Sequence, residues 1–262
     1  MMNRSVFLLL FAVASSQFAL GEPIAARHKQ GSMHGFLLVK SAQGNVIGVG
    51  DMVQVAEGPQ IRSRLVLRFR DGSIDDESTV FSDRDVLRLV SDHHVQKGPS
   101  FPVPLNVTID VPAAEVTWHE TKGGKVEVKR EHMDLPGDLA NGIMPAVMEN
   151  IPPNAAETNV SYLANDPKPR IVKLSVRPEA REGFTVGGVG YFANRYVIHI
   201  ELGGLAAILA PIMGKQPADF HDWVVGGEVP SFVKMQGALY LGGPVWTIQL
   251  TSPVWSSTEE TR

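Results

Sequence analysis

The residues best equipped for chemistry stand together at Asp92, His93 and His94. Imidazole beside carboxylate suits a metal ligand or a general base, and either would point to hydrolysis. Alternation limits such a site. On a strand, neighbouring side chains point to opposite faces, so Asp92 and His94 share a face and His93 takes the other. Zinc needs three or four ligands, and the missing ones would come from His119, His132, His199 or His221 on other strands. The pairs His199/Glu201 and His221/Asp222 are further candidates, but none of the eight histidines stands in an H-E-x-x-H spacing. Surface or hydrogen-bonded histidines are the simpler reading, and no metal is expected.

Gly188-Val-Gly190-Tyr-Phe-Ala193 has the form of a dinucleotide fingerprint. That motif works by opening a helix whose N-terminus holds the pyrophosphate, whereas Asn194 to Leu202 alternates like a strand, so the match reads as a turn. No P-loop and no G-x-S-x-G elbow occurs. Ser91 and Ser231 are nucleophiles without a motif around them. No cofactor is called for. More suggestive are Met133, Met144, Met148, Met213 and Met235, because methionine adapts its shape and recurs where varied apolar ligands are accepted, although core packing explains them too.

Short strands must position these residues. From Gln60 to Arg70, Ile61, Leu65, Leu67 and Phe69 alternate with Arg62, Arg64, Arg68 and Arg70, the pattern of a half-buried antiparallel strand. Asp71-Gly72 offers a type I′ turn that would set Phe69 against Ile74 and Arg68 against Asp75. A second hairpin spans Ala114 to His132 around Lys122-Gly123-Gly124. A two-residue loop would oppose Glu120 and Glu127, so a three-residue loop, with Trp118 against Val128, is expected. Further strands are expected at 34–40, 45–56, 85–95, 104–110, 170–177, 183–189, 194–202, 221–225, 231–236 and 245–251. Two segments break the pattern. Asp138 to Asn150 carries Leu139, Ile143 and Val147 at helical spacing, with Asp134 or Asp138 as N-cap and a kink at Pro145. Leu205 to Met213 is almost wholly apolar and too short to cross a bilayer. Both are expected to be short helices covering apolar surface.

Composition bounds the whole. The chain has 262 residues, 44% hydrophobic and 20% charged, enough to bury a core and too apolar for disorder. Its 25 glycines and 18 prolines have no collagen-like period and mark turns between short elements. Net charge is −4, which offers no basic field for a nucleic acid. At the N-terminus, Arg4, the apolar run Val6–Ala14 and Ala19-Leu20-Gly21 have the layout of a signal peptide over residues 1–21. A single β-rich domain over 22–262, with a linker at 151–158, would follow, secreted or periplasmic. The chain contains no cysteine, so neither a lipidation site nor a disulfide is available.

From about Gly35 to Pro253 the chain resembles secreted bacterial proteins of unknown function, in the stretches Ser91-Asp-His-His-Val-Gln-Lys-Gly-Pro-Ser-Phe-Pro102 and Tyr240-Leu-Gly-Gly-Pro-Val-Trp-Thr-Ile-Gln-Leu250. The late strands bearing Trp223 and Trp246 resemble periplasmic half-barrels of the lipoprotein-carrier type. That likeness implies an antiparallel sheet wrapped around a short helical lid, and acyl-chain binding.

The expected fold is mainly β: an antiparallel, strongly curved sheet or incomplete β-barrel with one or two short helices. The expected function is non-enzymatic binding of a lipid or other apolar small molecule in the cell envelope, with no integral membrane span in the mature chain. The ligand would meet Leu139, Ile143, Met144, Met148, Leu205, Ile208, Leu209 and Met213. Two alternatives remain: a structural or interaction protein of the envelope, and a hydrolase built on a histidine and acidic cluster. An apolar cavity favours the first, a filled barrel the second, and convergence of three or more His, Asp or Glu groups the third.

Overall fold

The computed structural model describes residues 22–165, 168–186, 189–201 and 217–251. The strands are β1 (Met33–Lys40), β2 (Val46–Glu57), β3 (Gln60–Phe69), β4 (Ile74–Ser82), β5 (Arg88–Lys97), β6 (Leu105–Asp110), β7 (Glu115–Lys122), β8 (Lys125–His132), β9 (Thr158–Asn165), β10 (Pro169–Val186), β11 (Val189–Glu201), β12 (Phe220–Val225), β13 (Ser231–Ala238) and β14 (Val245–Thr251). Among the described residues one helix, α1 (Met144–Asn150), lies between β8 and β9. All fourteen strands join one antiparallel sheet, in the order β8-β7-β6-β5-β4-β3-β2-β1-β14-β13-β12-β11-β10-β9. The chain therefore starts near the middle of the sheet, runs out to one edge, crosses through α1 to the other edge and returns. β8 and β9 stay unpaired with each other, so the expected antiparallel incomplete barrel with a short helix is what forms.

The sheet is bent far enough for distant strands to meet. Gln96 on β5 donates from Nε2 to the Leu239 carbonyl after β13, 3.0 Å away across the interior. Alternation sets the faces: along β3, Ile61, Leu67 and Phe69 are buried while Arg62, Arg64 and Arg68 are exposed. On the outer face Arg64 makes a two-pronged bond to Asp76 of β4, at 2.9 and 2.6 Å. The edge strand β8 carries Lys125, Glu127, Lys129, Arg130 and Glu131 on an almost wholly exposed segment. Such charge opposes pairing with another chain. At the opposite edge, Leu139 forms a parallel bridge to Ser161 and covers β9.

Two apolar clusters fill the concave side. The larger joins Phe81, Leu89, Ile109 and Val116 to Val160, Val176, Tyr196 and Ile198, with Leu139, Ile143, Val147 and Met148 among them. The smaller joins Leu37, Leu67, Phe69 and Phe101 to Phe232, Trp246 and Ile248.

Several local expectations are corrected. In β7–β8, Glu120 pairs with Glu127 and Trp118 with Lys129, the register of a two-residue loop. Gly123 and Gly124 both have positive φ (56° and 78°), as a type I′ turn requires, and this turn preference outweighs the opposition of half-buried Glu120 and exposed Glu127. At the β3–β4 turn the loop is one residue longer than expected. Arg68 pairs with Ile74, and Phe69 N donates to Ser73 O. Only Gly72 has positive φ, at 86°, because a three-residue loop needs one left-handed position instead of two. Helix α1 begins at Met144 with no side-chain cap, so neither Asp134 nor Asp138 serves as one. Pro145 sits in its first turn, where it fits without a kink. The strands expected at 170–177 and 183–189 are largely one strand, β10, with an irregularity between Pro178 and Ala180. Gly190–Ala193 lies within β11. The strand β9 has no counterpart in the sequence-based expectations.

Candidate functional site

Two places on the concave side have the makings of a site. The first is a cleft of about 240 Å³ where the C-terminal end of α1 and the Ile151-Pro152-Pro153 segment meet β11, β12 and the turn after β12. Its apolar wall is Met148, Ile151, Pro152, Pro153, Val224, Val225 and Pro230, with Tyr196 beside them. Arg27, His28 and Asn194 also border the cleft, and three further polar side chains of its lining are bonded to the protein. Tyr196 donates its hydroxyl to Ile151 O at 3.0 Å, and Asn150 donates to Ala146 O and accepts from His28 N, both at 2.8 Å. Glu149 accepts from Gln30 Nε2 and Phe232 N, each at 3.0 Å. Burial raises the Glu149 carboxyl pKa, with those two donors acting in the opposite sense. The N-terminal arm thus straps α1 in place. Lys29 Nζ bonds the carbonyls of Asp83 and Arg84, and Gln30 N donates to Asp83 Oδ2 at 2.7 Å.

The expected ligand residues fall differently with respect to this cleft. Met148 borders it and is fully buried. Leu139 and Ile143 are sealed in the larger cluster at 2% and 3% exposure, and Met144 packs partly buried against that cluster. Leu205, Ile208, Leu209 and Met213 lie outside the described residues. Beside α1 on its other flank, a second hollow bordered by Ile143, Ala146, Ser63 and Gln54 measures only about 10 Å³, room for one water at most.

The second place is a row of polar side chains on the inner faces of β4 and β5. Glu77 is paired in register with His94, Thr79 with Asp92 and Asp75 with Gln96, so all six point the same way. His94 Nε2 lies 2.7 Å from Asp75 Oδ1, and Gln96 Nε2 donates to the other Asp75 oxygen at 3.0 Å. His94 Nδ1 is 3.8 Å from Glu77 Oε1. Thr79 donates its hydroxyl to Asp92 Oδ1 at 2.8 Å, while Asp92 Oδ2 has no hydrogen-bond partner among the described residues.

Electrostatics follow from depth. Burial, with the Asp92 and Asp75 charges, pushes the Glu77 carboxyl up to about 8. Burial opposes charge on His94, but Glu77, Asp75 and Asp92 outweigh it and raise the imidazole to about 10. Burial likewise raises Asp92 and, with the same carboxylates, the Tyr162 hydroxyl on the far edge strand. At neutral pH His94 is therefore a cation held by Asp75, and Glu77 keeps its proton. On β12, Asp222 is 3% exposed with Oδ1 unbonded, and burial alone pushes it up to about 7.

Alternation correctly separated His93 from Asp92 and His94: His93 is exposed and meets Asn106 at 3.2 Å on the outer face. The sequence reading missed the partners Asp75 and Glu77. Their signal was present in Asp75-x-Glu77-x-Thr79-x-Phe81, where alternate positions share a face. Among the described residues, the distant candidates do not join the row. His199 pairs instead with Asp219 at 2.7 Å, and His221 lies 3.6 Å from Glu179. No group of three or more His, Cys, Asp or Glu residues there is arranged to hold a metal ion. Nor is any helix among them long and apolar enough to cross a membrane.

Comparisons with protein-family models, with curated proteins and with solved structures found no match to the chain.

Proposed function

We propose that this protein is a non-enzymatic binding protein whose ligand is a small apolar molecule, a short acyl chain or a compact ring, seated in the cleft at the end of α1. One observation carries this reading: the cleft offers about 240 Å³ of space behind a wall of Met148, Ile151, Pro152, Pro153, Val224, Val225 and Pro230, where Tyr196, Asn150 and Glu149 are bonded to the protein and Arg27, His28 and Asn194 stand at the border. An apolar guest would gain burial at roughly 25 cal/mol per Å². Ligand sites of drug-like size span roughly 300–1,000 Å³, so the cleft suits one chain or ring instead of a whole phospholipid. The resemblance to half-barrel carriers agrees with such a ligand, and the signal-peptide-like N-terminus would place the protein in the envelope or outside the cell.

Extraction of the purified native protein with organic solvent, followed by mass spectrometry, tests this. A stoichiometric short-chain acid, alcohol or aromatic compound is expected. Recovery of no apolar compound, together with no thermal stabilisation by any member of a panel of such compounds, would leave the structural reading in its place. That second reading has its own support, since both apolar clusters are filled by their own side chains.

A further inference from the structure

We propose that the Glu77–Asp92–Tyr162 face of the interior is a second binding site, for a small organic cation: a protonated amine carried on an apolar body. The argument begins with a charge deficit. Asp75, Glu77 and Asp92 place three carboxyl groups around one imidazole, and the pair at 2.7 Å commits His94 to Asp75. Asp75 has its second oxygen satisfied by Gln96. Once Glu77 loses its proton, it and Asp92 are left without a cation of their own among the described residues. Among the described residues, the positive charges that reach them come from histidines: His94 for Glu77, and His94 with the outer-face His93 for Asp92.

The hydrogen bonds show the same deficit. Asp92 is 2% exposed, and its Oδ2 has no donor among the described residues. Glu77 has only the 3.8 Å approach of His94 Nδ1. Buried acceptors of this kind are rare and costly unless something supplies the missing bonds. An ammonium group fits, with three N–H donors and one positive charge. A metal ion does not, because no group of three ligating side chains among the described residues has the required arrangement. Access is from the Glu77–His94 end of the row, where the side chains keep 17% and 15% of their surface, whereas Asp92 is sealed at 2% and is reached only if the row opens. Tyr162, which feels the charges of Glu77, Asp92 and Asp75, adds an aromatic neighbour of the kind that favours cations. This site lies on β4, β5 and β9, apart from the cleft formed by α1, β11 and β12, so either can fail without the other.

Protons compete with such a guest. Below the range in which Glu77 ionises, its carboxyl is neutral and attracts an ammonium weakly. As pH rises through about 8, the site gains negative charge, while an alkylammonium, at about 10.4 like lysine, stays protonated. The titrating groups facing Glu77 are Asp75 on β4, Asp92 and His94 on β5, and Tyr162 on β9.

Isothermal titration of the full chain with n-butylammonium chloride tests the proposal. Affinity is expected to rise about tenfold between about pH 6 and about pH 8.5, with proton release visible as a dependence on buffer ionisation heat. Glu77→Gln and Asp92→Asn should each weaken binding about tenfold or more, and n-butanol should not bind. Glu77→Gln is an uncharged isostere, and the pH and buffer dependence of the wild type needs no variant at all. Absence of binding by n-butylammonium, equal binding of the alcohol, or affinity independent of pH would each overturn the site. A pentanoate ligand bound in the cleft should be indifferent to Glu77→Gln.

Discussion

A β-carbon added to Gly142 would stand 2.0 Å from Thr79 Oγ1, so the backbone entering α1 is pressed directly against the hydroxyl that bonds Asp92. The same carbon would lie 2.6 Å from Asp92 Oδ1, and Gly142 has φ of +65°. Gly58 has nearly the same φ, +62°, with nothing within 4 Å. Alanine at Gly58 should cost about 1 kcal/mol from backbone strain alone. Alanine at Gly142 should cost about 3 kcal/mol or more, since Thr79 and α1 must also move apart. Chemical denaturation of the two variants measures the difference, and equal losses would show that the contact is not tight.

Replacement of His94 by glutamine removes the one cation inside the row and leaves Asp75 facing Glu77 and Asp92. Breaking a buried pair in this way costs roughly 3–5 kcal/mol. The loss should shrink in acid, where the carboxyl groups take protons. Comparable stability of wild type and variant at neutral pH would show that the His94–Asp75 contact does not hold the row together.

Stability should fall as pH rises from mildly acidic to mildly basic values. Glu77, Asp222 and His94 all have raised pKa values in the folded protein, at about 8, 7 and 10. Between its unfolded and folded values each group holds more proton folded than unfolded, so its contribution is complete below the unfolded value and lost as pH climbs through the folded one. Asp71, held down by Ser100 and Ser73, and Asp76, held down by Arg64, act in the opposite sense, and stability they supply is lost only in strong acid. The melting temperature should peak near about pH 5 and decline steadily to about pH 9. A melting temperature that is flat or rising across that interval would contradict the assignments.

At the β3–β4 turn, Asp71 accepts from Ser73 N at 2.9 Å and from Ser100 Oγ at 2.6 Å. Gly72→Val should destabilise by about 1–3 kcal/mol through its positive φ, with no clash, since nothing lies within 4 Å. Asp71→Ala should cost about 1 kcal/mol by orphaning the Ser73 amide. Thermal melts that match wild type for both would mean that the turn does not constrain the hairpin.

Alternation made much of the sheet legible in the sequence, because a half-buried strand such as Gln60–Phe69 must repeat every two residues whatever it pairs with. Pairing was less legible. The glycine pair at 123–124 decided the β7–β8 register against the charge argument, and β9 hid in a segment whose Val160, Ser161 and Leu163 are buried on both faces, which erases the alternation. The polar row was half visible, since Asp92 and His94 announced themselves. Glu77 and Asp75 come from another strand, and only the register of β4 on β5 brings them alongside. Nothing in the spacing of Met148, Tyr196 and Val224 could show that they border one cleft, since the sheet's return path joins them.

Binding of a fluorescent short-chain fatty-acid analogue tests the central claim, that the cleft at the end of α1 takes an apolar ligand. Val225 lines the cleft partly exposed, so Val225→Trp should fill it with little strain, while Val126→Trp on the exposed edge strand serves as control. Saturable binding by wild type and Val126→Trp, reduced about tenfold or more in a folded Val225→Trp, is the expected result. Failure of the wild type to bind the analogue, or undiminished binding by Val225→Trp, would contradict it.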